Sequence, residues 1–93
     1  MAIVFETADT LEADFTVYVV ASGEEADLLV YEIDEEDGED TGRIQDWVYA
    51  DEADEARYVV GYVDEEDEAD LKIYFVGEAR EAKLLNKLKA RLF

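Results

Sequence analysis

An acidic segment at residues 34–42 is the first place where residue types and spacing could support chemistry. It reads Asp-Glu-Glu-Asp-Gly-Glu-Asp-Thr-Gly and resembles a calcium-binding loop. An EF-hand loop needs glycine at position 6 and a bidentate glutamate at position 12. With Gly42 at position 6, position 12 is Val48, and with Gly38 at position 6, position 1 is Ile33. Both registers fail, so we expect no metal site and a solvated acidic loop, with weak, unselective divalent binding as the alternative.

The other candidate groups support catalysis no better. Five consecutive acids at residues 64–68 could hold a cation or a basic partner, but a solvated turn that protects sheet edges is favoured. Ser22 is the only serine, and the chain has no histidine or cysteine, which removes the usual base and the thiol nucleophile. Trp47 and six tyrosines could line a carbohydrate or peptide groove, although packing in the core is favoured. Among 27 acidic residues no glycosidase pair can be singled out. We expect no enzymatic activity, no catalytic residue and no cofactor.

The charge of the chain limits its partners. A net charge of −19 on 93 residues repels nucleic-acid phosphates and anionic membrane surfaces. No apolar run approaches the roughly 18 residues of a membrane span, and no secretory signal pattern is present. We therefore expect no nucleic acid, no membrane and no specific small molecule, and a monomer with self-association possible. The alternative function is an acidic binding module for a basic protein or divalent cations. The compartment is undetermined, with the cytoplasm only a default.

Short apolar runs predict a mainly β domain in spite of this charge. Each run is rich in β-branched and aromatic residues, and 49% of the chain is apolar, which favours folding over disorder. Several runs are apolar on both alternating faces, which indicates strands that are buried on both sides or wrapped by other segments. The six runs cover residues 3–5, 15–20, 28–33, 44–50, 58–63 and 71–76.

Residues 78–92 predict a C-terminal amphipathic helix. The segment has no glycine and no β-branched residue, and Leu84, Leu85, Leu88 and Leu92 form a stripe at helical spacing. Residues 1–71 hold 25 acids and two bases, a net −23, whereas residues 72–93 hold six bases and two acids, a net +4. We expect the basic helix to dock on the acidic body with its leucines buried. The prediction is one α+β domain over residues 1–93, with repeated strand-turn units in 1–76.

An internal repeat underlies the strand-turn units. Four segments begin with Ala-Asp and place tyrosine at the sixth position. They start at Ala13, Ala26, Ala53 and Ala69. A unit of this length cannot bury its own apolar surface, so the copies must pack on one another.

The repeat resembles the signature of the septoil-knot family, a small-domain family of unknown function. The stretch Ala-Asp-Leu-Lys-Ile-Tyr-Phe-Val at residues 69–76 carries the resemblance, and the copies at 13–20 and 26–33 support it. Trp-Val-Tyr at residues 47–49 is similar to that family's central Trp strand, so the resemblance spans residues 3–83. It implies a deeply knotted chain, a seven-crossing torus knot, and carries over no site residue. The turns are more acidic than the family pattern, and residues 82–84 replace its Ala-Gly-Trp ending. From the residues alone, an open sheet with a packed helix is the alternative.

The composition also bears on origin. Cysteine, histidine and proline are absent, and asparagine, glutamine and serine occur once each. This narrow choice of residue types favours a designed sequence on the septoil-knot backbone. A homologue from a halophile is the alternative.

Overall fold

The computed structural model describes residues 2–33 and 43–93, and the apolar runs in this part of the chain form strands. The six predicted runs contain or overlap β1 to β6, and a short seventh strand follows. The strands are β1 (Ala2–Thr7), β2 (Phe15–Val19), β3 (Leu28–Glu32), β4 (Asp46–Tyr49), β5 (Tyr58–Tyr62), β6 (Leu71–Phe75) and β7 (Lys83–Leu84).

The first six strands are parallel and close into a barrel. Their order around the barrel is β4-β1-β5-β2-β6-β3, and β3 pairs again with β4. β7 runs antiparallel to β3 and pairs with its first two residues, Leu28 and Leu29. β4 pairs with β3 only at Tyr31 and Glu32, so it does not compete with β7 for that edge. The closed barrel rules out the open sheet as the architecture. Large apolar side chains that point inward fill it, and those with no or almost no exposed surface are Val4, Val17, Leu28, Val30, Trp47, Val60, Leu71 and Ile73.

The chain travels around the barrel in two interleaved laps. On the first lap, β1, β2 and β3 take alternate places, and β4 follows β3 and lies beside β1. On the second lap, β5 enters the gap between β1 and β2, and β6 enters the gap between β2 and β3. Each of the second-lap strands β5 and β6 is therefore paired on both sides with strands of the first lap.

In the described residues, each connection between strands that are not neighbours returns along the outside of the strand that it skips. Residues 8–14 cross β5, where a Cβ on Gly61 would lie 3.0 Å from Thr10 Cγ2. Residues 20–27 cross β6, where Gly23 packs on Tyr74. Residues 63–70 cross β2, and the Thr16 hydroxyl donates to the carbonyl of Glu68 at 2.9 Å. Because connections cover the outer face of the strands, both faces of a strand are apolar, as the sequence pattern indicated.

The remaining crossings follow the same rule. The 3-10 turn Ala53–Glu55 packs on β1, and the 3-10 turn Ala79–Glu81 packs on β3. Similar 3-10 turns form at Gly23–Glu25 and Glu66–Glu68. A turn, a buried or half-buried alanine and a strand thus recur as one unit.

The third copy of the repeat lies three residues later than the sequence template placed it. Ala53 begins a 3-10 turn, and Ala56 occupies the place that Ala26 and Ala69 hold before their strands. Tyr58 is therefore the first inward residue of its strand, and Gly61 stands where the other copies have tyrosine. Glycine is suited to that place because residues 8–14 pass so close to it.

The predicted C-terminal α-helix over residues 78–92 is wrong. The segment forms the 3-10 turn Ala79–Glu81, strand β7 and a second 3-10 stretch, Lys87–Leu92. It repeats the turn-alanine-strand unit, with Ala82 buried and Leu84 opposite Leu28. Pairing with β3 overrides a helical propensity that is only a weak local preference. The leucine stripe is not buried as a face, because Leu88 is 80% exposed.

Gly61→Val is expected to lower the free energy of unfolding by about 1–3 kcal/mol, the usual cost of overpacking. The added side chain would press on Thr10 and Ala13 in the overlying connection. Gly77→Val is the matched control, because a Cβ on Gly77 meets no atom within 4 Å. Urea unfolding of both variants measures the difference. Equal losses would show that residues 8–14 do not cross β5 closely.

Candidate functional site

The carboxyl end of the barrel combines polar inward-facing side chains with the apolar Val19 and Phe75. Alternation along the strands places Glu6 of β1, Glu32 of β3 and Tyr62 of β5 two residues beyond the buried valines Val4, Val30 and Val60. The carboxyl ends of parallel strands meet at one mouth, which is where sites of parallel barrels are built. Glu6 and Glu32 are exposed, and Tyr62 is half-buried.

Two tyrosines meet at this mouth. The hydroxyls of Tyr49 and Tyr62 lie 2.5 Å apart in a hydrogen bond. Tyr49 is on β4 and Tyr62 on β5, which are both neighbours of β1 and not of each other. The contact therefore spans the barrel wall at β1. Below it, the ring of Trp47 packs edge-on to Tyr49 with the centroids 6.5 Å apart.

The surroundings of the pair keep both phenols protonated. Burial raises the pKa of Tyr49 above its ordinary value, and the hydrogen bond to Tyr62 adds to this shift. Burial also raises the pKa of Tyr62, while its hydrogen bond with Tyr49 acts in the opposite direction. The carboxylates of Glu6 and Glu32 disfavour a second negative charge near either phenol. The pair is thus a neutral hydrogen-bonded unit beside two acids.

Alkaline pH is expected to destabilise the domain through this pair. The folded-state pKa values of Tyr49 and Tyr62 lie above the unfolded value of about 10. Their contribution is complete below about pH 10, and it is lost as pH rises because the unfolded chain then releases protons that the folded chain keeps. Urea midpoints measured between about pH 9 and 11 should fall, and the Tyr49→Phe/Tyr62→Phe double variant should fall less steeply. An identical decline in the double variant would contradict the assignment.

The amino end of the barrel is closed by the chain's own C-terminus. The ring of Phe93 lies 5.2 Å from those of Phe15 and Tyr58 and 6.3 Å from that of Trp47. Lys89 Nζ donates to the carbonyl of Asp70 at 2.7 Å. Aromatic side chains therefore pack against one another at this end of the barrel.

Three of the four aspartates of the repeat have a structural role. The carboxylate of Asp27 accepts from the backbone N–H of Lys72 at 3.0 Å and from Asn86 Nδ2 at 3.1 Å, while its own N–H donates to the Lys72 carbonyl. Asp14 makes the same reciprocal contact with Val59, and Asp70 makes it with Thr16. Each such aspartate therefore fixes the start of its strand to the neighbouring strand.

Arg43 holds the C-terminal connection against the barrel. Its Nη2 donates to the carbonyls of Ala79 and Ala82 at 2.9 and 3.0 Å, and its Nε lies 3.5 Å from the buried carboxylate of Asp46. Arg43 therefore fixes residues 79–82 on the outside of the sheet.

The structure does not gather the groups singled out in the sequence. The acidic segment 34–42 lies outside the described residues. Residues 64–68 form an exposed turn in which Glu66 pairs with Lys72 at 3.1 Å, and Ser22 is exposed at the start of another turn. Trp47 is in the core, not in a groove. The described residues contain no cluster of three potential metal ligands, and within them no helix could cross a membrane.

Sequence reasoning missed the Tyr49–Tyr62 pair. Counting in steps of two from the first inward residue of β5 would have placed Tyr62 at the carboxyl end. The pairing itself depends on β4 and β5 both flanking β1, which no single strand encodes.

Comparison with known families agrees with the signature seen in the repeats. A family model described as the 7(1) septoil knot domain matches residues 1–85. This match confirms the resemblance that residues 69–76 carried. No curated protein and no solved structure matches the chain.

Proposed function

Because the chain belongs to the septoil knot domain family, we propose that its barrel is threaded as a seven-crossing torus knot and serves as a stable, non-enzymatic fold. The property of such a domain is its resistance to complete unfolding. The strand order and the strand pairing alone do not determine whether an end of the chain passes through one of its loops.

The observation that supports threading is the alternation of the two laps. The first-lap connections 8–14 and 20–27 lie outside the second-lap strands β5 and β6. The second-lap connections 50–57 and 63–70 lie outside the first-lap strands β1 and β2. Each lap therefore passes both over and under the other. A chain that winds twice around an axis while alternating between inside strands and outside connections follows the path of a torus winding.

The chemistry of the chain supports the absence of catalysis. It has no histidine, so Ser22 has no imidazole partner to activate it, and it has no cysteine to supply a thiol nucleophile. Three of the four repeated aspartates, Asp14, Asp27 and Asp70, are engaged with backbone groups. The net charge of −19 opposes binding to nucleic acid or to an anionic membrane and favours a monomer. The absence of cysteine, histidine and proline supports a designed sequence on this backbone.

Closing the ends of the chain under two conditions tests the knot. The chain has no cysteine, so one cysteine on a flexible Gly/Ser extension at each terminus gives a single possible disulfide. One sample is closed while folded. The other is made by chemical synthesis and closed in denaturant before it has ever folded. Both products have the same covalent formula and differ only in topology.

The two closed chains should differ when both are held in denaturant. The chain closed in the folded state is expected to have the smaller hydrodynamic radius and the faster migration in a denaturing gel, because a closed knot cannot open. Reduction of the disulfide is the control, since it should remove the difference as the freed chain loses its knot. Equal radii before reduction would show that the barrel is unknotted.

A further inference from the structure

The Tyr49–Tyr62 contact has a chemical consequence beyond its part in the fold. Two phenols joined by a 2.5 Å hydrogen bond hold their rings close, because each ortho carbon is bonded to the carbon that carries the hydroxyl. Both side chains are half-buried at the mouth of the barrel, so a small diffusing reagent reaches them. Rotation of either ring about its last side-chain bond brings one ortho carbon toward the other.

We infer that Tyr49 and Tyr62 form an oxidative cross-linking site, at which a one-electron oxidant joins the two side chains as dityrosine. Each phenol gives one electron to the oxidant and its hydroxyl proton to water. The two phenoxyl radicals then form a carbon–carbon bond between their ortho positions. The hydrogens on those two carbons move to the oxygens and restore both phenols. In total one C–C bond replaces two C–H bonds, and two electrons and two protons leave.

The other tyrosines are placed differently. Tyr18, Tyr31 and Tyr74 occupy the outward positions of their strands, and Tyr74 lies beneath the connection at Gly23. Tyr58 packs against Phe15 and Phe93. In the part of the chain that the structure describes, Tyr49 and Tyr62 are the two tyrosines whose hydroxyls share a hydrogen bond. Their high effective concentration favours coupling within one molecule over coupling between molecules.

The cross-link would join the two laps. Tyr49 ends β4, and Tyr62 ends β5, with β1 between them. A covalent bond across β1 would hold the mouth of the barrel closed and prevent β4 and β5 from separating at their carboxyl ends. Oxidation would thus stabilise the fold at the place where the side chains meet.

Photo-oxidation of the full chain tests the assignment. A ruthenium tris-bipyridyl complex with persulfate serves as the one-electron oxidant, at a protein concentration low enough to keep the product monomeric. Trypsin cuts after Arg43, Arg57 and Lys72, which places Tyr49 in peptide 44–57 and Tyr62 in peptide 58–72. The expected product is the two peptides joined, with a mass two hydrogens below their sum, together with dityrosine fluorescence in the monomer band.

Substitutions that remove one hydroxyl identify the partners. Tyr62→Phe and Tyr49→Phe should each lower the yield of cross-linked monomer by about tenfold, because the remaining tyrosines have no comparable effective concentration. Tyr58→Phe is the matched control on the same tryptic peptide, and it should keep the parental yield. Peptide mapping of the unsubstituted chain gives an answer that does not depend on how any variant folds. Dityrosine found only in dimers, fragment-ion masses that place the cross-link on Tyr58 and not on Tyr62, or a yield unchanged by Tyr62→Phe would overturn the inference.

Discussion

Replacing Trp47 with alanine is expected to lower the free energy of unfolding by about 3–5 kcal/mol, the range for large buried aromatics. The side chain is 0% exposed and packs on Tyr49 and Phe93. Its Nε1 donates to the carbonyl of Ile44 at 2.8 Å, so truncation removes a hydrogen bond as well as apolar contacts. Since small domains have only about 5–15 kcal/mol of stability in total, the variant should be close to unfolding. Circular dichroism in urea measures the loss without relying on tryptophan fluorescence.

Two comparison variants make the Trp47 result specific. Trp47→Phe keeps an aromatic ring and should lose less stability than Trp47→Ala. Leu11→Ala changes a side chain that is 94% exposed, and it should stay within about 0.5 kcal/mol of the parent. If Trp47→Ala unfolded at the same urea concentration as Leu11→Ala, Trp47 could not be the centre of the barrel core.

The strands were predictable because their signal is local. Short runs of β-branched and aromatic residues, separated by acidic turns, define β2, β3 and β6 almost to the residue. Their apolar outer faces also predicted wrapping, and the connections supply it. Predicting these features does not require the order of the strands in the barrel.

The sequence-based predictions were wrong where contacts with segments distant in sequence outweighed a local pattern. The letters Ala-Asp at residues 53–54 matched the template, but the 3-10 turn there shifts the unit by three residues. An odd shift moves a side chain to the opposite face of a strand, which is why Tyr58 points inward. The leucines of residues 84–92 fit a helix, but β3 presents an open edge beside its first two residues, and β7 fills it.

The candidate site was not predictable because it depends on strand order. Tyr49 and Tyr62 lie 13 residues apart, and they meet because β4 and β5 both pair with β1. Nothing in either strand specifies that shared neighbour. The acids at the mouth were hidden among 27 acidic residues, so charge gave no signal. Threading cannot be predicted from the sequence for the same reason, because it depends on the path of the whole chain.

Refolding is expected to depend strongly on how long the chain has been held in denaturant. If the chain is knotted as proposed, a chain diluted out of urea soon after it unfolds still carries the knot and should refold rapidly. A chain held long enough for an end to slip through the loops must be threaded again. Loop closure and threading precede the native contacts, so its refolding should be slower by roughly tenfold or more.

The composition of the chain excludes two common alternative causes of slow refolding in this experiment, in which the time spent in urea before refolding is varied. Prolyl isomerisation is the common reason why refolding slows after long denaturation, with times of about 10–100 s, but the chain has no proline. Disulfide exchange is excluded as well, because it has no cysteine. A slow phase that grows with time in urea therefore reports the loss of threading.

Arg43→Ala links that slow phase to a particular crossing. Arg43 fixes residues 79–82 on the outside of β3. In the proposed knot, the C-terminal end beyond them must be withdrawn before the chain can unthread. Without this contact the terminus should come free sooner during unfolding from the native state, so the unfolding rate should rise. Once the chain is unfolded the contact no longer exists, so the growth of the slow phase with time in urea should match that of the parent. Stopped-flow fluorescence of Trp47 follows both steps in both proteins.

A refolding rate independent of the time in urea would show that the topology of the unfolded chain does not change with time. An unknotted closed barrel would then describe the molecule.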